Sequence, residues 1–90
     1  MVAVKRVVLD VLKPHTPNAL EFARAIAEQM PGYRVHLTVV EIDDKTETLV
    51  LDVSAELIDF DALSAAIASM GASLHSIDEV EVVGDVAAAE

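Results

Sequence analysis

The sequence predicts an α+β domain with four strands and two helices in the order βαββαβ. Three observations lead to this fold class. The chain has 90 residues, which suffice for one core but not for two. Valine-rich segments of strand length alternate with two segments whose apolar residues recur at helical spacing. The phrase VVLDV at 7–11 returns as LVLDV at 49–53, and each copy opens a strand–helix–strand unit.

The first half of the chain predicts a strand, a helix and a second strand. The valine-rich segment 4–12 is the first strand, and Pro14 follows it because proline cannot donate to a ladder. Thr16 is the predicted N-cap of a helix over 17–30, which begins with a proline and stops at a Pro-Gly pair. The alternating segment 34–42 is the second strand. The predicted buried face of the helix consists of Leu20, Ala23, Ile26, Ala27 and Met30.

The second half repeats this plan. A polar turn over 43–46 leads into the third strand, 47–55, which forms a hairpin with the second strand. Asp59 is the predicted cap of a helix over 60–70, and a glycine follows this helix as its stop. The last predicted strand is 73–83. The inward residues of the second helix are Leu63, Ala66, Ile67 and Met70.

This order matches the split βαβ, ferredoxin-like plan, in which two helices cover one face of a four-stranded antiparallel sheet. Right-handed crossovers place the first and third strands side by side at the centre. Because side chains alternate along a strand, Asp10 and Asp52 point to the face that the helices leave open. The expected domain is 1–84, and 85–90 is expected to be a frayed tail.

Composition and charge exclude several classes of function. The chain has 16 acidic and 6 basic residues, and its formal net charge is −10. Phosphate backbones repel such a surface, so we expect neither nucleic acid nor an anionic membrane as a partner. The absence of cysteine excludes disulfides, thiolate nucleophiles and cysteine-based metal sites. The sequence has no signal-peptide pattern at its start and no transmembrane run. Because cysteine is absent, a reducing cytoplasm is the default expectation.

The predicted open face carries many aliphatic residues. Val8 and Leu12 flank the first aspartate, Val50 neighbours the second, and the second strand adds Val40 and Ile42. Such a face is rarely left in water, and a second copy of the chain is the simplest cover for it. The alternative is a solvated face whose valines reflect only strand propensity. The last strand adds His75 and Ile77 to the face unless 76–79 contains a bulge.

Asp10 and Asp52 lie on neighbouring strands, and two carboxylates that share a site need a proton, a basic side chain or a metal between them. Solvation or a salt bridge, cation binding, and general acid–base catalysis are the three alternatives. Catalysis fits least, because no nucleophile or cofactor loop accompanies the pair. The basic side chains available for a salt bridge are Lys5, Arg6, Lys13 and Arg34.

Further acidic and histidine residues are expected at one rim of the sheet. The first strand ends near His15, the second strand ends on the same side, and the last strand runs antiparallel beside the first. Hard oxygen ligands suit calcium or magnesium better than zinc. The alternative for the turn is a solvated acidic loop. The candidate metal ligands are Asp10, His15, Glu41, Asp43, His75, Asp78 and Glu79.

Four phrases resemble an archaeal-type family of uncharacterised proteins, domain-of-unknown-function family 211. They are LDVLKPH at 9–15, EID with a Thr-Glu pair at 41–47, DFDAL at 59–63 and LHSIDEV at 74–80. The resemblance spans about residues 5–83. It implies a ferredoxin-like domain that assembles into ring-like homo-oligomers, and it brings no known reaction. The residues that match its motifs are Asp10, Lys13, Pro14, His15, Glu41, Asp43, His75, Ser76, Asp78 and Glu79.

Three functions follow as hypotheses. The first is a non-enzymatic, ring-forming homo-oligomer that binds a divalent cation such as calcium between subunits. The second is a regulatory sensor of small molecules such as amino acids, which rests on fold analogy. The third is an enzyme that uses Asp10 or His15 as a general base, and the sequence supports it least.

Overall fold

The computed structural model describes residues 1–85, and the predicted order βαββαβ is confirmed. Apart from Asp85, the tail predicted to fray lies outside the described residues. No helix in the described part of the chain is long and apolar enough to cross a membrane. The elements are β1 (Ala3–Pro14), α1 (Ala19–Ala27), β2 (Arg34–Ile42), β3 (Thr46–Ser54), α2 (Phe60–Ser69) and β4 (Ser73–Val83).

The four strands form one antiparallel sheet in the order β2-β3-β1-β4. This is the ferredoxin-like topology, with β1 and β3 at the centre. Val7 pairs with Val53 and Leu9 with Leu51, so the two copies of the repeated phrase lie directly against each other. The sheet therefore has two open edges, one on β2 and one on β4.

The core lies between the sheet and the helices. Alternate residues of β1 and β3 are buried, as the period of two predicts, while Asp10 and Asp52 lie on the opposite face. Aromatic residues add little, since Phe22 and Tyr33 are the buried aromatics among the described residues. The sheet residues of the core are Val7, Leu9, Val11, Leu49, Leu51 and Val53.

Helix α1 differs from its prediction in both start and buried face. Asn18 is the N-cap, because its side chain accepts a hydrogen bond from the Glu21 backbone and the Glu21 carboxylate accepts one from Asn18. This capping box begins the helix two residues later than predicted. Phe22 and Ile26 face the core, whereas Leu20 is 64% exposed and Met30 41% exposed. The predicted face was therefore wrong at these last two positions.

Helix α2 follows its prediction. The Asp59 side chain caps it by accepting a hydrogen bond from the Ala62 backbone at 3.1 Å. The Asp59 backbone N–H also donates to the Tyr33 hydroxyl at 2.9 Å, which joins the start of α2 to the segment before β2. Gly71 has φ of 82° and ends the helix, as expected of glycine after a C-terminus. Leu63, Ala66 and Ile67 are buried.

Bulges interrupt the pairing of β1 with β4. Val8 pairs with Glu79 and Leu9 with Ile77, so Asp78 is skipped, and a second shift skips His75. The bulge anticipated within 76–79 is therefore present. Because Leu9 faces the core, Ile77 lies on the helix side of the sheet. Of the two predicted arrangements, the one with a bulge is present, and Ile77 does not lie on the open face.

Candidate functional site

Lys13 lies at the end of β1 and is completely buried. Its ammonium donates to the Pro14 carbonyl at 2.7 Å and to the Pro17 carbonyl at 2.6 Å. It also forms a salt bridge at 2.9 Å with Oε1 of Glu47, which is 15% exposed. A buried ammonium is tolerated only when its donors are satisfied, and these acceptors meet that need. The lysine therefore fixes the loop between β1 and α1.

His15 joins the same carboxylate to the β2–β3 turn. Its Nδ1 lies 3.0 Å from Oε2 of Glu47, and its Nε2 lies 2.9 Å from the Asp43 carbonyl and 3.0 Å from the Asp44 carbonyl. Both ring nitrogens thus face acceptors only, and an imidazole satisfies both only when both carry a proton. We call these side chains the Lys13–Glu47–His15 network.

Electrostatics agree with that protonation state. The hydrogen bond to Glu47, followed by those to the backbone carbonyls, raises the pKa of His15 above its ordinary value. The hydrogen bonds from His15 and then from Lys13 lower the pKa of Glu47. Both ring nitrogens of His15 are engaged by oxygen acceptors in this arrangement, and its role as a metal ligand stays a prediction.

Arg6 neutralises the second aspartate of the repeat. Its Nε donates to Oδ1 of Asp52 at 3.1 Å and its Nη2 to Oδ2 at 2.9 Å, which is a bidentate pair. Its Nη1 donates to Oε1 of Glu79 at 2.7 Å. These two carboxylates raise the pKa of Arg6. Of the alternatives for Asp52, the salt bridge is the one present, and Glu79 shares its cation.

Asp10 occupies a different setting at the centre of the open face. It pairs with Val50 on one side and Ser76 on the other, and so lies diagonal to Asp52. Within residues 1–85, no hydrogen bond or ion pair engages its carboxylate. The Ser76 hydroxyl donates to Oδ1 of Asp78 at 2.7 Å. Two carboxylates, Asp10 and Asp78, thus flank one serine.

The remaining predicted ligands lie apart from this pair. Glu41 pairs with Thr48 at the exposed end of β2, and His75 is exposed in a bulge of β4. The Asp43 backbone closes the hairpin by donating to the Thr46 carbonyl at 2.8 Å. Across the described residues, no three histidine, aspartate or glutamate side chains gather as a metal site would require. The predicted rim is therefore divided into separate groups.

Sequence reasoning missed the Lys13–Glu47–His15 network, although a signal for it was present. Lys13 continues the core-facing series of β1 that includes Leu9 and Val11. Glu47 continues the series of β3 in the same way and pairs directly with Lys13. A lysine and a glutamate at core-facing positions of paired strands indicate a buried ion pair.

Comparison with known proteins then decides the family. The model of the DUF211 family, described as uncharacterized ArCR, matches residues 5–88. The chain belongs to this family. A relative from Methanocaldococcus jannaschii, named uncharacterized protein MJ0319, is 39% identical over 80 residues. The match covers 89% of this chain and 82% of that protein.

The DUF211 assignment agrees with the resemblance drawn from the motifs. The phrase LDVLKPH supplies Asp10, Lys13 and His15, of which the last two belong to the Lys13–Glu47–His15 network. The phrase LHSIDEV supplies the bulged segment of β4. Neither the family nor the relative has a named activity, so a function for this DUF211 chain has to come from its geometry.

Proposed function

We propose that this DUF211 protein is a non-enzymatic module that joins copies of itself into a ring through the two open edges of its sheet. The proposal rests on how far the apolar side chains on the helix side of the sheet extend across its strands. Cross-strand pairing places two apolar rows on that side, and each row runs from β2 to β4. The rows are Val35–Val53–Val7–Val80 and Leu37–Leu51–Leu9–Ile77.

The two rows are buried at the centre and uncovered at the β4 edge. Leu9 is completely buried and Val7 is 2% exposed, yet Ile77 is 50% exposed and Val80 59% exposed. Val82, further along β4, is 50% exposed. Soluble chains seldom leave such a row in water beside unpaired backbone groups. This edge therefore has the properties of an interface.

The opposite edge is a suitable counterpart. Strand β2 has its own unpaired backbone groups and bears Val40, 57% exposed, and Ile42, 68% exposed. An added β4 would continue the antiparallel sheet and lay its apolar residues beside Val35 and Leu37. Because the two edges differ, the contact is head-to-tail, and repetition of it closes a ring when the rotation allows.

Substitution of either edge tests this assembly. Ile42→Lys and Val80→Lys each place an ammonium in the joint, so each variant should lose the multi-subunit species that we expect of the wild-type chain. Leu20→Lys is the matched control, since Leu20 is 64% exposed on α1 and lies on neither edge. Native mass spectrometry reads the subunit number of all four proteins. A monomeric wild-type chain would refute the proposal.

Divalent-cation binding is a second candidate, and the Asp10–Asp78 arrangement favours it. Asp10 has no cationic partner among residues 1–85, and calcium prefers six to eight oxygen ligands, carboxylates among them. Residues 1–85 of one chain place two carboxylates beside Ser76, so the site would draw further ligands from a second copy. Magnesium would use the same oxygens and retain more water.

Calcium titration of the metal-stripped protein tests this candidate. Asp10→Asn and Asp78→Asn should each lower calcium affinity by about tenfold or more, because each removes a charged ligand. Asp61→Asn, an exposed aspartate at the start of α2, is the control and should bind calcium like the wild-type chain. Unchanged affinity in both test variants would eliminate the site without bearing on edge-to-edge assembly.

A further inference from the structure

A polar cavity of about 260 Å³ lies on the open face of the sheet, at the end opposite the hairpin turn. Pairing of the strands brings its residues together, because Ser54 is flanked by Arg34 on β2 and Arg6 on β1, and His36 pairs with Asp52. Directly paired residues share a face, so these five side chains project to the same side. The lining residues are Arg6, Arg34, Val35, His36, Asp52 and Ser54.

The two arginines of this cavity differ in whether their guanidinium groups have hydrogen-bond partners. Arg6 donates three hydrogen bonds to Asp52 and Glu79, so its charge is already matched. Within residues 1–85, neither the Arg34 guanidinium nor the Ser54 hydroxyl has a hydrogen-bond or ion-pair partner. An arginine presents five donors in a planar fork. The cavity thus contains one full set of unused donors beside a free hydroxyl.

An adjoining cavity of about 470 Å³ shares Arg34 and Ser54 with the first. Lys5 lines it, but its ammonium is occupied by the Glu56 carboxylate at 3.0 Å and the Glu56 carbonyl at 2.7 Å. Three of the six basic residues of a chain with 16 acidic ones therefore gather at this end of the sheet. Two of them are neutralised locally, and Arg34 remains.

We propose that Arg34 and Ser54 form a binding site for a small free monocarboxylate, with His36 on its wall. A planar carboxylate accepts two parallel hydrogen bonds from a guanidinium, and the serine hydroxyl can supply another. Asp52 and Glu79 lie close by and the whole chain has a charge of −10, so a doubly charged phosphate is less favoured than a single negative charge. The site gives the sensor hypothesis a definite class of ligand.

Ligand-observed fluorine NMR tests the site on the intact chain in its native assembly. Trifluoroacetate serves as the probe, and acetate should displace it more effectively than inorganic phosphate at equal concentration. Arg34→Gln should weaken probe binding by about tenfold or more, and Ser54→Ala by about threefold to tenfold. Arg24→Gln removes an arginine from the exposed side of α1 and should leave binding unchanged.

Three results would overturn the proposal. The first is a wild-type chain that does not bind the probe, and the second is an Arg34→Gln variant that binds it as well as the wild type does. The third is a probe that binds only dissociated chains while Arg34→Gln weakens assembly, since Arg34 would then hold a carboxylate of a second copy. Native mass spectrometry of the same samples separates this third result from the first.

Discussion

At the scale of single residues, the structure distinguishes the ionisable groups by how completely their partners satisfy them. Lys13 and His15 are surrounded by acceptors, and Arg6 is matched by two carboxylates. Asp10 and Arg34, in contrast, have no such partner within residues 1–85. Satisfied groups stabilise the fold, and we place ligands at two of the charges that have no partner among the described residues, Asp10 and Arg34. Asp10 lies at the centre of the open face and Arg34 at one end of it, and this separation keeps the two proposals distinct.

The Lys13–Glu47–His15 network predicts a stability that depends on pH in two directions. The pKa of His15 is raised above 6.5, so its contribution is complete below pH 6.5 and is lost as the pH rises through the raised value. The pKa of Glu47 is lowered below 4.5, so its contribution is complete above pH 4.5 and is lost as the pH falls through the lowered value. The network should therefore stabilise the fold most between pH 4.5 and pH 6.5.

Urea unfolding of the wild-type chain and of His15→Asn over a series of pH values measures this effect. The free-energy difference between the two proteins should shrink as the pH rises from about 6 to about 9. Glu47→Gln is the control, because removal of this carboxylate removes the main cause of the raised pKa of His15. In the Glu47→Gln background, the effect of His15→Asn on the free energy of unfolding should therefore depend less on pH. A difference that stays constant with pH would show that the imidazole does not bind as a cation.

At the scale of elements, the strands follow from the sequence more closely than the first helix does. The predicted bounds of β2 and β4 match those in the structure, because valine-rich alternation and flanking polar turns define both ends. Thr16 is the predicted N-cap of α1 because a proline follows it, but Asn18 and Glu21 form the capping box. An asparagine followed three residues later by a glutamate is a capping signal in the sequence, and the preference for proline at the first helical position concealed it.

The buried face of α1 can be checked by two truncations. Phe22→Ala should cost about 3–5 kcal/mol of unfolding free energy, because it leaves a cavity at a completely buried site. Leu20→Ala should cost about 0.5 kcal/mol or less, since that side chain is 64% exposed. Denaturant unfolding measures both. Equal losses of unfolding free energy in the two variants would mean that α1 presents a different face to the sheet.

Two other features of the site depend on strand register and on where β1 ends. The pairing of Arg6 with Asp52 and Glu79 joins three strands, and it depends on a cross-strand register that bulges in β4 shift. The burial of Lys13 was hidden because Pro14 was taken as the end of the regular strand, whereas β1 extends through it. The observed site differs from the expected rim because cross-strand register and bulges in β4 decide which side chains meet, and composition does not predict either.

At the scale of the whole molecule, the two helices leave part of the helix side of the sheet uncovered. The chain measures 54 × 23 × 18 Å along its principal axes over the described residues. The core-facing rows run across the strands and are exposed where they reach the β4 edge, at Ile77 and Val80. A single copy leaves part of its apolar layer exposed, and the proposed edge-to-edge assembly would bury more of it.

The most direct test of edge-to-edge assembly mixes the two edge variants. Ile42→Lys leaves the β4 edge intact and Val80→Lys leaves the β2 edge intact, so each variant alone should be monomeric. An equimolar mixture should form a heterodimer, because the intact β4 edge of the Ile42→Lys variant can pair with the intact β2 edge of the Val80→Lys variant. The substituted edges of both variants prevent further growth. Native mass spectrometry resolves this species. A mixture that stays monomeric, or a variant that dimerises alone, would contradict the head-to-tail joint.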